Sequence, residues 1–222
     1  MPKLVIFDCD GVLVDSEAGH NKLFIDLLKE YNHHMSEEEG LRLFTGMIPQ
    51  EARRYVKDQF GIEITDEHWK EHLNPEIFLP LLASDLKPLM HSTLQYLHDK
   101  KIQKCVGSNG ILEMIHYKLR HTDQKQFFED AHIFSVDHVK NPKPAPDLFL
   151  FAAKQMGYQP EDCLVVEDSA VGIAAAKAAG IPVIGFLGGS HTKDQSYVNK
   201  IKGFNVPIAH SAEEVLGHIL SH

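Results

Sequence analysis

Five short segments of the chain carry apolar side chains without polar alternation: Lys3–Phe7, Gln103–Gly107, Ala131–Phe134, Cys163–Glu167 and Pro182–Phe186. They are rich in Val and Ile, and their unbroken apolar character predicts strands covered on both faces. Between them the period changes. Ile111, Leu112, Ile115 and Leu119 recur at helical spacing, as do Leu148, Phe149, Ala152 and Met156, and then Val171, Ala174 and Ala178. A last helix is expected over Ala212–Ile219. Strand alternating with helix implies α/β architecture, a Rossmann-like parallel sheet with helices on both faces.

The stretch from Glu17 to Leu82 breaks this rhythm. Leu23, Phe24, Leu27, Leu28 and Tyr31 form one amphipathic face, and helical patterns follow around Pro49–Phe60 and Asp66–Leu82. About 65 residues of helix between the first two strands exceed one crossover. The expected organisation is a core of residues 1–15 and 84–222, with a small all-helical cap of residues 16–83 inserted after strand one. Hinges are expected near Ser16 and near Ala83–Ser84. In open sheets of this kind ligands bind outside the strand C-termini, so a cap in that place would cover the site.

Composition narrows the function classes. Hydrophobic residues make up 43% of the 222 and charged residues 24%, which excludes a disordered chain. The net charge is −9 and no basic cluster occurs, so no nucleic-acid partner is expected. No apolar run approaches the ~18 residues of a membrane span, so no membrane partner is expected either. Met1-Pro2-Lys3 leads straight into a strand-like segment with no stretch of signal-peptide length, which predicts a cytoplasmic protein. Cys9, Cys105 and Cys163 are odd in number and widely spaced, against a disulfide framework or a zinc site. The fifteen histidines are scattered, and most are read as solvated. With no obvious apolar patch outside the expected core, a monomer is expected.

Polar residues then interrupt the pattern at each strand end. Asp8-Cys9-Asp10-Gly11 and Asp15-Ser16 follow the first strand, Ser108-Asn109-Gly110 the second, and Glu167-Asp168-Ser169 the fourth. Lys143 stands in the stiff loop Lys143-Pro144-Ala145-Pro146-Asp147. Singly these are ordinary features: a turn, a helix N-cap, a rigid loop. In a parallel sheet they all fall at one edge. Asp8 and Asp10 can divide labour, one attacking and the other moving protons. Carboxylates repel a phosphate by ~1 kcal/mol per pair at about 4 Å in water, and by ~4 kcal/mol at an effective dielectric of 20. A hard cation with oxygen ligands removes that obstacle. Asp8, Asp168 and Glu167 would supply such ligands, and Mg²⁺ suits them. Lys143 would place a fixed positive charge on phosphoryl oxygens, and Ser108 and the amide after it would donate to them.

The segment around Asp8, Asp10, Gly11, Asp15 and Ser16 resembles the first motif of the haloacid dehalogenase-like hydrolase superfamily. Ser108-Asn109-Gly110 resembles its second motif, Lys143-Pro144-Ala145-Pro146-Asp147 its third, and Glu167-Asp168-Ser169-Ala170-Val171-Gly172 its fourth. The resemblance covers nearly the whole chain and is strongest to the β-phosphoglucomutase-like group with a helical cap. It implies that Asp8 attacks phosphorus to form an aspartyl-phosphate, that Asp10 serves as acid and then base, and that Ser108 and Lys143 hold the phosphoryl group. It also implies Mg²⁺ held by Asp8, the Asp10 carbonyl, Asp168 and Glu167, and substrate contacts from Gly11, His20, Gly46 and Asn109. The acid at Asp10 separates the chain from the dehalogenases and phosphonate-cleaving relatives, which lack one there.

Within that group the expected activity is hydrolysis of a small phosphate monoester, a sugar phosphate above all. The alternative is a phosphosugar mutase. His20 matches a histidine the mutases carry, but Pro49 stands where they place an arginine for the distal phosphate. Arg53 and Arg54, one turn on, are the candidates to replace it, and Lys70 lies near the position of the mutases' cap lysine. Met47, Ile48 and Trp69 suggest a partly apolar cap surface. Pro88-Leu89-Met90 departs from the group's usual Pro-Gly-Val before the helix that leads to strand two. A non-catalytic phosphometabolite-binding module is the third reading, disfavoured because none of Asp8, Asp10, Ser108, Lys143 and Asp168 is missing.

Overall fold

A computed structural model describes residues 1–44, 49–72, 86–193 and 195–222. The chain divides into two compact units, Met1–Asp15 with Lys87–His222, and Ser16–Leu86.

The first unit is built on a six-stranded parallel sheet. Its strands are β1 (Leu4–Phe7), β4 (Gln103–Ser108), β5 (Ile133–Ser135), β6 (Cys163–Glu167), β7 (Val183–Phe186) and β8 (Ile208–Ala209), in the spatial order β5-β4-β1-β6-β7-β8. β1 is central and every residue in it is buried, as expected of a strand covered on both faces. Leu4 and Ile6 point to one side and enter a core with Leu148, Phe149 and Ala152 of α7 (Asp147–Gln155) and Ile173, Ala175 and Ala176 of α8 (Ala170–Ala178). By the two-residue period Val5 and Phe7 point the other way. The helices α5 (His91–Asp99), α6 (Leu112–His121) and α10 (Ala212–Ser221) complete the layers, and Thr93 of α5 donates to the Ala212 carbonyl at 2.6 Å. All three cysteines are buried and free.

Register places the chemistry. Phe7 lies opposite Val106 on one side and Val166 on the other. Asp8 is one residue past Phe7, Glu167 one past Val166, and Ser108 two past Val106, so parallel pairing brings all three to the same edge.

The strand segments read from the sequence are all present, with shifts at the ends. The expected strand at Ala131–Phe134 begins later, at Ile133, because Asp130–His132 form a 3₁₀ turn. Four elements carry no pattern in the sequence. β8 has two residues, too few for a period. β2 (Val14–Asp15) and β3 (Lys87–Pro88) form a two-residue antiparallel ribbon where the first unit's two segments meet, and Pro88 lies opposite Val14. α9 (Gln195–Lys202) has one fully buried apolar residue, Ile201.

The second unit contains α1 (Glu17–Glu30), α2 (Glu37–Phe44), α3 (Pro49–Phe60) and α4 (Asp66–His72), and no strand among its described residues. Its core is Leu27, Leu28, Phe44, Ala52, Val56, Ile64 and Trp69. The aromatic rings meet edge to face, Phe24 and Phe44 at 4.6 Å and Phe44 and Tyr55 at 6.0 Å, the arrangement that ring quadrupoles favour. Trp69 therefore belongs to this unit's core, which corrects its expected place on an apolar surface. Met47, Ile48, Ala83 and Ser84 lie outside the described residues. No helix among the described residues is long and apolar enough to cross a membrane.

Candidate active site

The site is assembled from the ends of β1, β4 and β6 and the loop that carries Lys143. Asp8 leaves β1 still bonded to the sheet, its N–H donating to the Val166 carbonyl at 3.0 Å. The chain then turns tightly: the N–H groups of Leu13 and Val14 both donate to the Cys9 carbonyl, and the Gly11 N–H donates to the Val14 carbonyl. Gly11 sits at φ +77°, where a side chain is strained. A Cβ there would also lie 2.0 Å from Asp168 Oδ2. Only glycine lets the first loop and the fourth-strand carboxylate approach so closely.

Lys143 is the electrostatic centre. Its ammonium lies 2.6 Å from Asp8 Oδ1 and 2.8 Å from Glu167 Oε1, and the three side chains are 2%, 9% and 1% exposed. It also sits 4.5 Å above the Phe149 ring, a favourable face for a cation. Burial alone would lower its pKa, but the carboxylates of Asp8 and Glu167 outweigh burial and hold it above the ordinary lysine value. Asn109 fixes the loop from the second strand's end. Its side-chain amide donates to the Lys143 carbonyl at 3.2 Å, and its side-chain oxygen accepts the Lys143 N–H at 3.0 Å. The side chain expected to bind substrate is thus engaged in holding Lys143. Ser108 is buried at the end of β4 and accepts the Gly110 N–H. A Cβ on Gly110 would lie 3.5 Å from Ser108 Oγ and 3.9 Å from Asp10 Oδ2, so these groups face a common space.

Glu167, Asp168 and Asp8 each offer an oxygen within 4.8 Å of the others. Burial raises the Asp8 carboxyl well above the usual range, and the neighbouring Glu167 and Asp168 charges add to this against the Lys143 ammonium. Burial raises Asp168 too, partly offset by His191. Three buried acids, with one ammonium on two of them and His191 beside the third, leave an excess of negative charge, and buried charge of one sign is costly. An all-oxygen donor set with that excess fits a hard divalent cation. Ser169 has two tasks. Its N–H and Oγ donate to Glu167 Oε2 at 2.7 and 2.8 Å, while its Oγ accepts the Gly172 N–H and caps α8. The N-cap reading and the site reading of Glu167-Asp168-Ser169 hold together.

Four groups at this edge were not singled out in the sequence. Lys118, buried on α6, donates to Asp10 Oδ1 at 2.5 Å. It falls among the apolar positions Met114, Ile115 and Leu119, and a lysine on a buried helix face is the signal that marks it. His191 Nε2 lies 2.8 Å from Asp168 Oδ2, and the Ser190 N–H and Oγ donate to Asp15 at 3.0 and 2.8 Å. Tyr197 Oη donates to the Asp168 carbonyl at 3.1 Å. These last three follow β7, whose end lies at the same sheet edge, and that position was their only signal.

The remaining expected site residues belong to the second unit. His20 lies in α1 and its side chain is not among those described, while Gly46 is outside the described residues. Arg53 donates to the Ile64 carbonyl through Nε at 3.0 Å and through Nη2, pairs with Asp66 at 2.7 Å and stacks on Trp69 at 5.6 Å. It is bound within its own unit, against its expected role as a replacement phosphate ligand. Arg54 and Lys70 are exposed.

The model of a haloacid dehalogenase-like hydrolase matches residues 2–180. The fructose-1-phosphate phosphatase YqaB of Escherichia coli K12 is 30% identical over 181 residues, covering 81% of this chain and 94% of that one. The crystal structure of a haloacid dehalogenase-like protein of Agrobacterium tumefaciens C58 superposes with a TM-score of 0.84 at 30% identity, covering 100% of this chain and 99% of that one. A hydrolase of the same family from Deinococcus radiodurans R1, solved with bound phosphate and sodium, has a TM-score of 0.77 at 29% identity, with 96% and 93% covered. With the four strand-end groups gathered at one sheet edge and the match running through all of them, the chain belongs to the haloacid dehalogenase-like hydrolase family.

Proposed function

We propose that the protein is a Mg²⁺-dependent phosphatase that hydrolyses a small phosphate monoester, a sugar phosphate, through an aspartyl-phosphate on Asp8. The observation that carries this is the buried set of Asp8, Lys143, Glu167 and Asp168, in which three carboxylates cluster and one ammonium pairs with two of them. Asp8 would attack phosphorus in line while the bond to the leaving oxygen breaks, and Asp10 would give its proton to the departing alkoxide. Asp10 would then take a proton from the water that attacks the aspartyl-phosphate, releasing phosphate and restoring the Asp8 carboxylate. Lys143 holds Asp8 oriented and offsets charge on the phosphoryl oxygens, and Ser108 donates to them. Mg²⁺, held by Asp8, Asp168, Glu167 and the Asp10 carbonyl, would supply the charge that lets a phosphate dianion approach these acids.

The sugar-phosphate substrate class is supported by the phosphatase relative. Hydrolysis rather than mutase chemistry is supported by Pro49 at the mutases' arginine position and by the engagement of Arg53. A helical cap of residues 16–83, action as a monomer and a cytoplasmic setting belong to the same proposal. The test is a panel of hexose phosphates, a phosphorylated sugar acid and an aryl phosphate, with free phosphate and sugar isomers both measured. Free phosphate that requires Mg²⁺, with no isomer, is the expected result. An isomer formed with a bisphosphate primer would make the chain a mutase. Neither product from a folded protein would make it a binding module.

A further inference from the structure

The chain that follows β7 holds Asp168 from two sides, through His191 and through Tyr197 of α9. His191 is buried, with Nε2 at 2.8 Å from Asp168 Oδ2. Its ring is seated against two glycines. A Cβ on Gly189 would lie 2.5 Å from His191 Cε1 and 2.7 Å from Nδ1, and one on Gly11 would lie 2.9 Å from Cε1. Six residues on, the Tyr197 hydroxyl donates to the Asp168 backbone carbonyl, and the Tyr197 ring meets the His191 ring edge to face at 5.0 Å. The loop is anchored in turn on Asp15 by the Ser190 N–H and Oγ. His191 and Tyr197 therefore hold the carboxylate and the carbonyl of Asp168, and Ser190 ties this group to Asp15.

We propose that His191 is a positioning residue for the metal ligand Asp168, and that Gly189, Ser190 and Tyr197 keep its ring in place. With Nε2 in close polar contact at 2.8 Å from Oδ2, Asp168 presents its other oxygen as a single fixed donor. A carboxylate held in this way does not have to be ordered when the cation arrives, and losing such an outer partner typically costs 10–100-fold in metal affinity. The role rests on the metal reading given above and adds a residue to it that no strand-end motif contains.

The test uses the whole protein without substrate. Mn²⁺ binding is followed by the electron paramagnetic resonance signal of the free ion, for wild type and for His191→Gln, His191→Asn and Tyr197→Phe. Glutamine reaches the position of Nε2, whereas asparagine reaches only that of Nδ1. The two replacements are alike in polarity, so a difference between them is not a folding effect, and circular dichroism checks that both are folded. His191→Gln should bind Mn²⁺ within about threefold of wild type, His191→Asn 10–100-fold more weakly, and Tyr197→Phe in between. Equal binding by His191→Asn and wild type would overturn the positioning role while leaving the metal site standing. Failure of wild type itself to bind Mn²⁺ would overturn the metal reading, and this role with it.

Discussion

Replacing Gly172 with alanine should destabilise the protein, although alanine is the better helix former. Gly172 is the third residue of α8, where alanine would normally gain up to about 1 kcal/mol. A Cβ there, however, would lie 1.9 Å from both Cδ and Oε1 of Glu167. Ordinary contact is about 3.5 Å or more, so the carboxylate must withdraw by about 1.5 Å. It has no free path. Its Oε1 is held by the Lys143 ammonium at 2.8 Å, its Oε2 by the N–H and hydroxyl of Ser169 at 2.7 and 2.8 Å, and the side chain is 1% exposed. A hydrogen bond to a charged group contributes about 1.5–3 kcal/mol, so losing two of the three removes about 3–6 kcal/mol. After the helix gain, a net loss of about 2–5 kcal/mol remains. Urea denaturation of the metal-free proteins measures it, and phosphatase activity should fall together with stability because Glu167 orients Lys143. A Gly172→Ala protein as stable as wild type, with unchanged activity, would refute the reasoning: Glu167 would not then be fixed between Lys143 and the start of α8.

Further outcomes follow from the same buried charges. Lys143→Met leaves Asp8 and Glu167 without their shared ammonium, which should cost about 3–5 kcal/mol and abolish turnover, measured by denaturation and phosphate release. The folded-state pKa values of Asp8 and Asp168 are raised, so the folded chain binds protons that the unfolded chain has released. Their contribution to stability is present below the ordinary carboxylate pKa of about 4 and is lost as pH rises through the raised values. In chelator, Asp8→Asn should therefore gain thermal stability relative to wild type between about pH 5 and 8, and saturating Mg²⁺ should remove that gain. A flat difference across that range would contradict the raised Asp8 pKa. Lys118→Met leaves the Asp10 carboxylate without its ammonium partner. It should slow hydrolysis of sugar phosphates, whose leaving alkoxides need a proton, at least tenfold more than that of a good aryl leaving group.

The parallel core was legible because its strands are continuous apolar runs and its helices keep their period. β1 is the clearest case: Leu4–Phe7 has no polar residue, and the polar sequence that begins at Asp8 marks the sheet edge. The short elements were not legible. Ile208–Ala209 and the ribbon of Val14–Asp15 with Lys87–Pro88 are fixed by pairing across the fold, not by local pattern. The same division holds at the site. Asp8, Glu167 and Asp168 stand out because each is a charged residue at or just past the end of a run, and Lys143 because it stands in a stiff proline loop. Lys118 and His191 act through contacts 108 and 23 residues away in sequence, from a helix face and a loop that look ordinary. The sequence also misplaces Trp69, because an aromatic residue in an amphipathic helix reads alike whether it faces a core or a ligand. Only the packing with Phe24 and Arg53 decides it.

The central claim, that Asp8 is the nucleophile, is tested most directly by trapping the intermediate. The protein is mixed with a ³²P-labelled sugar phosphate and Mg²⁺, quenched in acid within milliseconds, digested and mapped. The account predicts label on the peptide containing Asp8, labile to mild base, absent with chelator and absent in Asp8→Asn. Steady release of phosphate by Asp8→Asn, or label that maps to any other residue, would contradict it.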